Sequence, residues 1–314
     1  MNRIFTLTVN PVVDKNTTIP SLVPHKKIGC TEPVYYSGGG GINVSRAINN
    51  LGGKSVAIHF SGGRIGIHLQ ELLSNEDIEH YVIDLKGTTR ENLSVFDTAT
   101  DLYYRFGLPG PTVNDNEWQK GLNIIESTLN ETDFLVVSGK LTSGIPDDYY
   151  MMVGEIAKRK RAKFILDTKG RALKHAINTD IYLFKPNLSE LASLYGNEML
   201  SNKMLEESAK DFMATHNCKI MAVSLGRRGA LLVTEDILEY IPAPIVHEKN
   251  TIGAGDSMLA GMLLKAQAGH TPKTMIQYGV AAGAAATLKR GTQLCQKEDV
   301  EKIFKWVKLN VSVK

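Results

Sequence analysis

Phe134-Leu135-Val136-Val137-Ser138 is a short apolar run, a helical pattern follows from Asp147 to Lys158, and Phe164-Ile165-Leu166-Asp167 is apolar again. Runs this short and this apolar read as buried strands, and strand, helix, strand is the unit that lays two parallel strands side by side beneath a helix. The same alternation recurs along the chain. Ile4 to Val9, Ser55 to Phe60, Ile181 to Phe184 and Ile220 to Leu225 read as further strands, and Ile42 to Leu51, Ile65 to Leu73, Asn116 to Leu129 and Leu205 to His216 as helices. Repeated this often, the pattern implies an α/β protein whose mostly parallel sheet is covered by helices on both faces. Such sheets bind ligands at the carboxyl ends of their strands, and the glycine motifs fall just after strands or just before helices.

Two segments break the rhythm. Asn16 to Tyr36 and Thr88 to Leu108 carry β-branched and aromatic residues at roughly alternating positions, with Pro20, Pro24 and Pro33 in the first and no helical period in either. They are expected as antiparallel strands outside the main sheet, one small β flap built from two insertions. A flap with one polar face over a site would be a lid. Its other face, bearing Leu93, Val95 and Tyr104, would need cover, which pairing two flaps between subunits would supply. The expected division is a main α/β domain of residues 1–13, 37–87 and 109–314, and a β lid of 14–36 and 88–108 that doubles as a homodimer interface.

A chain of 314 residues with 43% hydrophobic content can bury a large core, and a net charge of +3 is mild. Lys158-Arg159-Lys160-Arg161 closes a helical pattern and reads as a solvated helix end, so no nucleic-acid partner is expected. Cys30, Cys218 and Cys295 suggest neither a disulfide framework nor a zinc site. The N-terminal Met1 to Val9 is too short and polar for a signal peptide, and no apolar stretch has the length of a membrane span, so a soluble cytoplasmic protein is expected. Gly38 to Gly41 gives no G-x-G-x-x-G register, and Gly53-Lys54-Ser55 lacks the earlier glycine of a P-loop, since residue 48 is Ile48.

The chemistry concentrates in Asn250-Thr251-Ile252-Gly253-Ala254-Gly255-Asp256-Ser257, a glycine turn that delivers a carboxylate to the start of a helical pattern through Leu259, Met262, Leu263 and Ala266. Free N–H groups in a first helical turn form an anion site. Asp256 reads either as a simple helix cap or as a base beside that site, a pairing that suits phosphoryl transfer. Ser224-Leu225-Gly226-Arg227-Arg228-Gly229 is either a plain hairpin or a phosphate loop. Lys185-Pro186-Asn187-Leu188-Ser189-Glu190 fits a capping box, and equally Asn187 as a phosphate ligand with Glu190 near magnesium through water. Four glycines ahead of Asn43 are read as room for a polyol, with Asn43 and Asp14 at its hydroxyls.

Together these motifs resemble the PfkB family of ribokinase-like sugar kinases. The resemblance runs through Asn10-Pro-x-x-Asp14, Gly38 to Gly41, Ser138-Gly139, Lys185-Pro-Asn187-x-x-Glu190, Ser224-Leu-Gly-x-x-Gly229 and Gly253-Ala-Gly-Asp256-Ser. Within the family, the glycine run followed by Ile42-Asn43-Val44, Gly279-Val-Ala-Ala-Gly283 and Gly291-Thr-Gln-Leu-Cys295 look most like the minor-isozyme branch of bacterial 6-phosphofructokinases. The resemblance implies a three-layer αβα sandwich with a small antiparallel β lid. It implies Asp256 as the base and Gly253, Ala254 and Gly255 with Asp256 as the anion hole. Lys185, Asn187, Ser224, Gly226 and Gly229 would serve ATP, with Val280, Gly283 and Ala284 near adenine and Glu190 serving Mg2+. Asp14, Gly39 and Asn43 would bind sugar, and Lys27, Arg90 and Arg105 its phosphate. Potassium would lie among the carbonyls of Asn250, Ile252, Ala286 and Gly291.

Two departures bear on the substrate. Lys140 stands where relatives have Ser after Ser138-Gly139, and either joins the phosphate clamp or points into solvent; Asp167-Thr168-Lys169-Gly170 replaces the common Asp-x-Ser-Gly. The resemblance implies ATP-dependent phosphorylation of fructose 6-phosphate at its 1-hydroxyl. Tagatose 6-phosphate, fructose 1-phosphate or an unphosphorylated sugar are alternative substrates, and a non-catalytic sugar-phosphate sensor is an alternative of another class. With an ordinary carboxyl pKa of ~3.9, Asp256 would be a weak base that takes the proton late.

Overall fold

The computed structural model describes residues 2–197, 201–289 and 291–311. In chain order the first part holds β1 (Ile4–Thr8), β2 (Val12–Ile19), β3 (Val34–Gly38), α1 (Gly40–Asn50), β4 (Val56–Ser61), α2 (Gly63–Asn75), β5 (Glu79–Asp84), β6 (Arg90–Asp97) and β7 (Leu102–Gly107). Next come α3 (Asp115–Thr128), β8 (Phe134–Ser138), α4 (Tyr149–Arg159), β9 (Lys163–Asp167), α5 (Arg171–Ala176), β10 (Ile181–Phe184), α6 (Leu188–Leu194) and α7 (Asn202–Thr215). The last part is β11 (Cys218–Ser224), β12 (Ala230–Val233), β13 (Leu238–Ile241), α8 (Ala254–Gln267), α9 (Pro272–Thr287) and α10 (Lys297–Val311).

Nine strands form one sheet in the order β13-β12-β11-β10-β9-β8-β1-β4-β5. From β5 to β11 every pairing is parallel; β12 and β13 close the sheet as antiparallel strands. The apolar runs are continuous because both faces are covered. On β8, Phe134 and Val136 enter the cluster built by α1, α8 and α9, whereas Leu135 and Val137 enter the opposite one with Tyr149, Tyr150 and Val153 of α4. Side chains alternate with period two, so each strand feeds both cores. Each fully buried large apolar side chain contributes about 1.5–3 kcal/mol, which is why a run of five suffices to place a central strand. The outcome is the expected three-layer αβα sandwich. β1 lies where the order reverses, with β4 on one side and β8 on the other, so a crevice opens beyond its carboxyl end.

The two insertions form a second sheet, β3-β2-β6-β7. Each insertion supplies an antiparallel pair, as expected, and the two pairs are joined by a parallel pairing of β2 with β6. Register sorts its faces. Arg90, Asn92 and Ser94 of β6 share one face with Asp14 and Asn16 of β2 and Arg105 of β7. The opposite face carries Leu93 and Phe106, a cross-strand pair exposed by 36% and 49%. Val95, expected to need cover beside Leu93, is already buried within the chain.

Helices α8 and α9 pack unusually closely because glycines face the contact. A Cβ on Gly261 would lie 3.0 Å from Ala282 Cβ, and one on Gly279 would lie 2.5 Å from Met262 Cγ. This contact fixes the direction in which the start of α8 points.

Candidate active site

The start of α8 is capped by Gly253, whose φ of 71° is a left-handed conformation suited to glycine. No side chain caps this helix, and although the Ala254 N–H donates to Thr251 O at 3.4 Å, the Gly255 and Asp256 amides face no side-chain cap and can meet an anion. Asp256 therefore is not the cap. Its Oδ2 instead accepts a 2.8 Å hydrogen bond from Asn43 Nδ2 on α1, while Asn43 Oδ1 is buried without a partner.

Burial pushes the Asp256 carboxyl up to about 7, and the neighbouring Asp167 carboxylate adds to the rise; the Asn43 hydrogen bond and the Lys185 charge oppose it. A carboxyl at that value is a far better base than the ordinary one expected from sequence. Lys185 closes the group from the side of β10. It is buried and forms a 3.0 Å ion pair with Asp167 Oδ1, and its Nζ lies 3.4 Å from where a Cβ on Gly255 would sit. Burial disfavours the Lys185 charge, but Asp167 outweighs it and the ammonium is held above its usual range, with Asp256 and Glu190 assisting. Ser138 Oγ donates to the other Asp167 oxygen at 3.1 Å.

The glycine run proves to be packed against protein. A Cβ on Gly39 would meet Thr8 Cγ2 at 2.6 Å, one on Gly40 would meet Ser138 Oγ at 2.3 Å, and one on Gly41 would meet Leu7 O at 2.7 Å. Gly38 leaves space for Asp14, whose Oδ2 would be 2.6 Å from its Cβ. The glycines thus serve first to let α1 start directly against β1 and β8, and only through that to line the crevice. Packing comes before the expected room for a polyol, while Gly39 and Gly40 also line the cavity that opens beside them.

A small cavity of ≈ 130 Å³ sits there, with Thr8, Asn10, Gly39, Arg90 and Lys140 among its walls. Arg90 is anchored by its Nη2 donating to Asn10 O at 3.1 Å, and burial lowers its pKa against the pull of Asp14. Asp14 accepts from Asn92 Nδ2 at 3.0 Å; burial raises its pKa, opposed by that bond and by Arg105, Arg90 and Arg46. Lys27 is not among the charges acting there. It is exposed in the loop between β2 and β3, so a single chain gathers two of the three expected cations.

A larger cavity of ≈ 720 Å³ adjoins the start of α8 and is lined by Asn187, Ser224, Gly226, Gly229, Val280 and Ala284, together with Gly283, Met258 and the 243–248 loop. Its walls suit a nucleotide, with apolar Met258, Val280 and Ala284 for a flat base and glycines for phosphates. Gly229, at φ 97°, would place a Cβ 2.0 Å from Ile241 O, whereas a Cβ on Gly226 meets nothing within 4 Å. Asn187 and Glu190 do form a capping box, with bonds of 2.8 and 2.9 Å. The box uses Glu190 Oε2 and leaves Oε1 for water, and burial raises this carboxyl too.

Asp167, Glu190 and Asp256 all act on the buried Lys185 charge, with Lys169 acting on Glu190 from outside, and the acidic excess fits a hydrated divalent cation held with phosphate. Among the described residues no cluster of three or more His, Cys, Asp or Glu is arranged to hold a metal directly. Two of the carbonyls expected to hold potassium already accept one N–H group each, which leaves each a second lone pair. Gly291 O accepts from Asn250 Nδ2, and Ala286 O accepts from Lys289 N–H at 3.2 Å.

Residues 7–299 match the family described as pfkB family carbohydrate kinase. The chain belongs to this family. The PfkB kinase is 38% identical over 312 residues to the ATP-dependent 6-phosphofructokinase isozyme 2 of Escherichia coli strain K12, covering 98% of this chain and 99% of that protein. The crystal structure of phosphofructokinase-2 from Escherichia coli in complex with potassium superposes with a TM-score of 0.94 at 37% identity, covering 98% of this chain and all of that one (100%). The same enzyme in complex with fructose-6-phosphate gives a TM-score of 0.92 at 36% identity over the same shares, 98% and 100%.

Sequence reasoning about this PfkB kinase passed over Asp167, Asn92 and Arg227 as site residues. Asp167 was visible only as part of a departure from a motif, and Asn92 lay in a segment read for its strand pattern. Arg227 lines the larger cavity and pairs with Glu248 at 2.6 Å, a partner 21 positions away that spacing does not suggest.

Proposed function

We propose that this chain transfers the γ-phosphoryl group of ATP to the 1-hydroxyl of fructose 6-phosphate. The observation that carries the reading is the hydrogen bond from Asn43 to Asp256 at the uncapped start of α8, whose Ala254 and Gly255 line the larger cavity while Gly39 and Gly40, just ahead of Asn43, line the smaller. In this reading the small cavity takes the sugar. Arg90 and Arg105 hold its phosphate, joined by Lys140, while Asp14, Gly39 and the free Oδ1 of Asn43 receive hydroxyls. Lys27 would reach a site only from elsewhere in an assembly.

ATP would lie in the larger cavity with its base against Val280, Gly283 and Ala284 and its phosphates toward Asn187, Ser224, Gly226, Gly229 and Lys185. Mg2+, held through water near Glu190, supplies charge neutralisation between the phosphates when bound. The amides from Gly253 to Asp256 and the Lys185 ammonium stabilise charge on the moving phosphoryl group, and Asp256 receives the hydroxyl proton. A value near 7 lets Asp256 take that proton earlier than an ordinary carboxylate would.

Residues 14–36 and 88–108 act as a lid whose polar face, with Arg90, Asn92 and Arg105, is turned to the sugar. Leu93 and Phe106 on its other face pair with a second copy in a homodimer. The described residues contain no helix long and apolar enough to cross a membrane, and the proposed place of action is the cytoplasm.

An ADP-release assay with fructose 6-phosphate, fructose 1-phosphate, tagatose 6-phosphate and fructose tests the reading. Fructose 6-phosphate should give the highest kcat/KM. Preference for another sugar would reassign the substrate, and binding without ADP release would make the chain a sensor.

A further inference from the structure

Arg227 and Glu248 meet at the wall of the larger cavity. Arg227 belongs to the turn between β11 and β12, Glu248 to the loop that follows β13, and both line the cavity. Among the described residues that line it, Arg227 is the one Lys or Arg and Glu248 the one Asp or Glu. The guanidinium meets a single carboxylate oxygen, Glu248 Oε2, with Nε at 2.9 Å and Nη2 at 2.6 Å. The two side chains are exposed by 83% and 18%, so the cation projects from the rim while the carboxylate is set into the wall. Arg228, next in the chain, is directed elsewhere, its Nη1 donating to Asn202 Oδ1 of α7 at 2.9 Å.

An exposed ion pair adds little to stability, so holding the fold does not account for this one. Bonding through Nε and Nη2 fixes the plane of the guanidinium and spends one edge of its fork, which leaves Nη1 and the second N–H of Nη2 as donors. Those donors stand on the same turn as Gly226, where a Cβ would meet nothing within 4 Å, so the turn is open to an approaching group. A planar fork beside bare glycine backbone matches phosphate oxygens, which Arg binds through charge-assisted hydrogen bonds. The amides at the start of α8 serve the transferred phosphoryl group in the proposed reaction, and this turn is left for the phosphates that stay on the nucleotide. The geometry points to Arg227, aimed by Glu248, as a ligand of a phosphate that ADP retains. This assignment rests on the proposed seat of ATP in the larger cavity.

Titration of the full chain with ADP, without sugar, tests it. Wild-type protein that fails to bind ADP would overturn the nucleotide seat and this assignment with it, whereas ADP binding unchanged by Arg227→Ala would overturn the assignment alone. Arg227 is exposed, so its variants should fold. Arg227→Ala should raise the Kd for ADP roughly 3- to 30-fold at low ionic strength and by less at high, because the lost interaction is between charges. Arg227→Lys should recover part of the loss and Arg227→Gln almost none. A change in Kd that responds neither to salt nor to the charge at position 227 would mark an effect of shape and overturn the assignment. In a Glu248→Ala background, Arg227→Ala should still weaken ADP, by a smaller factor. No effect there would make Arg227 only the neutraliser of Glu248, and an undiminished effect would remove the aiming by Glu248; either result contradicts the assignment as stated.

Discussion

Asn43 on α1 donates a 2.8 Å hydrogen bond to Asp256 on α8, across 213 positions of sequence. The bond joins the helix that follows the glycine run to the helix that opens the anion hole, so the acceptor side and the base side of the site form one unit. Asn43 keeps its Oδ1 buried and unpartnered beside this bond. Such an oxygen is costly to bury and is suited to accept from a substrate hydroxyl.

Replacing Asp256 by Asn keeps the shape of the side chain and removes the base. The expected outcome is a kcat lower by roughly 10²- to 10⁴-fold with KM values little changed, measured by ADP release. Near-normal turnover would exclude Asp256 as the proton acceptor.

The acid limb of kcat should lie near pH 7, because burial, assisted by Asp167, raises the Asp256 carboxyl to about 7. Asn43→Ala removes the hydrogen bond that favours the ionised form, and the limb should move to higher pH. Stability carries the opposite sign. A folded-state value above the unfolded one means that this group's stabilisation is complete below about pH 4 and is lost as pH rises through 7. Asp256→Asn should therefore gain in Tm over the wild type between pH 4 and 8, with at most about 4 kcal/mol at the upper end. A Tm difference independent of pH would contradict the raised value.

Arg90→Ala and Arg105→Ala each remove a cation from the polar face of the small sheet. Each should raise KM for the phosphosugar about 10- to 100-fold and leave KM for ATP unchanged, as loss of a charge-assisted hydrogen bond predicts. Fructose serves as the control, since turnover of a neutral sugar should not respond. Equal effects on both sugars would remove the phosphate clamp.

Lys185→Met leaves Asp167 as a part-buried carboxylate without its 3.0 Å partner. Breaking a buried pair from one side costs about 3–5 kcal/mol, and thermal unfolding should show it as a large fall in Tm. Lys185→Met with Asp167→Asn should recover much of the stability while ADP release stays low. Failure of the double variant to recover would mean that the ion pair is not what Lys185 supplies to the fold.

Gly40→Ala would force a Cβ to within 2.7 Å of the Ser138 carbonyl carbon and 2.8 Å of Gly139 N, both backbone atoms. The start of α1 would have to withdraw from β8, moving Asn43 away from Asp256. Turnover should fall together with stability, whereas Gly226→Ala, which meets nothing within 4 Å, should be limited to the strain of its φ of 60°, about 1 kcal/mol. Comparable losses in the two variants would argue against the packing role of the run.

The central strands were legible because burial on both faces writes a continuous apolar run; Phe134 to Ser138 and Ile181 to Phe184 appear with those same bounds. β5 went unread because Glu79 to Asp84 is an edge strand in which only Ile83 is fully buried, so its pattern is mostly polar. The parallel joining of β2 to β6 was also out of reach, since it pairs residues more than 70 positions apart and leaves no periodicity of its own.

The site divides along the same line. Local rules sufficed for the turn at Gly253 and the Asn187–Glu190 box, because chain stiffness, capping and helix polarity act over three or four residues; the packing of the glycine run against β1 and β8 lay beyond them. Asp256 could not be separated from a helix cap by those rules. What sets it apart appears only when α1 and β9 are packed beside α8, bringing Asn43 into hydrogen-bond contact and the Asp167 charge near enough to raise its pKa. Sequence by itself determined which segments could become strands, helices and anion-holding turns. Tertiary structure decided which carboxylate is ionised, which is paired and which is free to take a proton, because desolvation and Coulomb interaction depend on distance through space and not on separation along the chain.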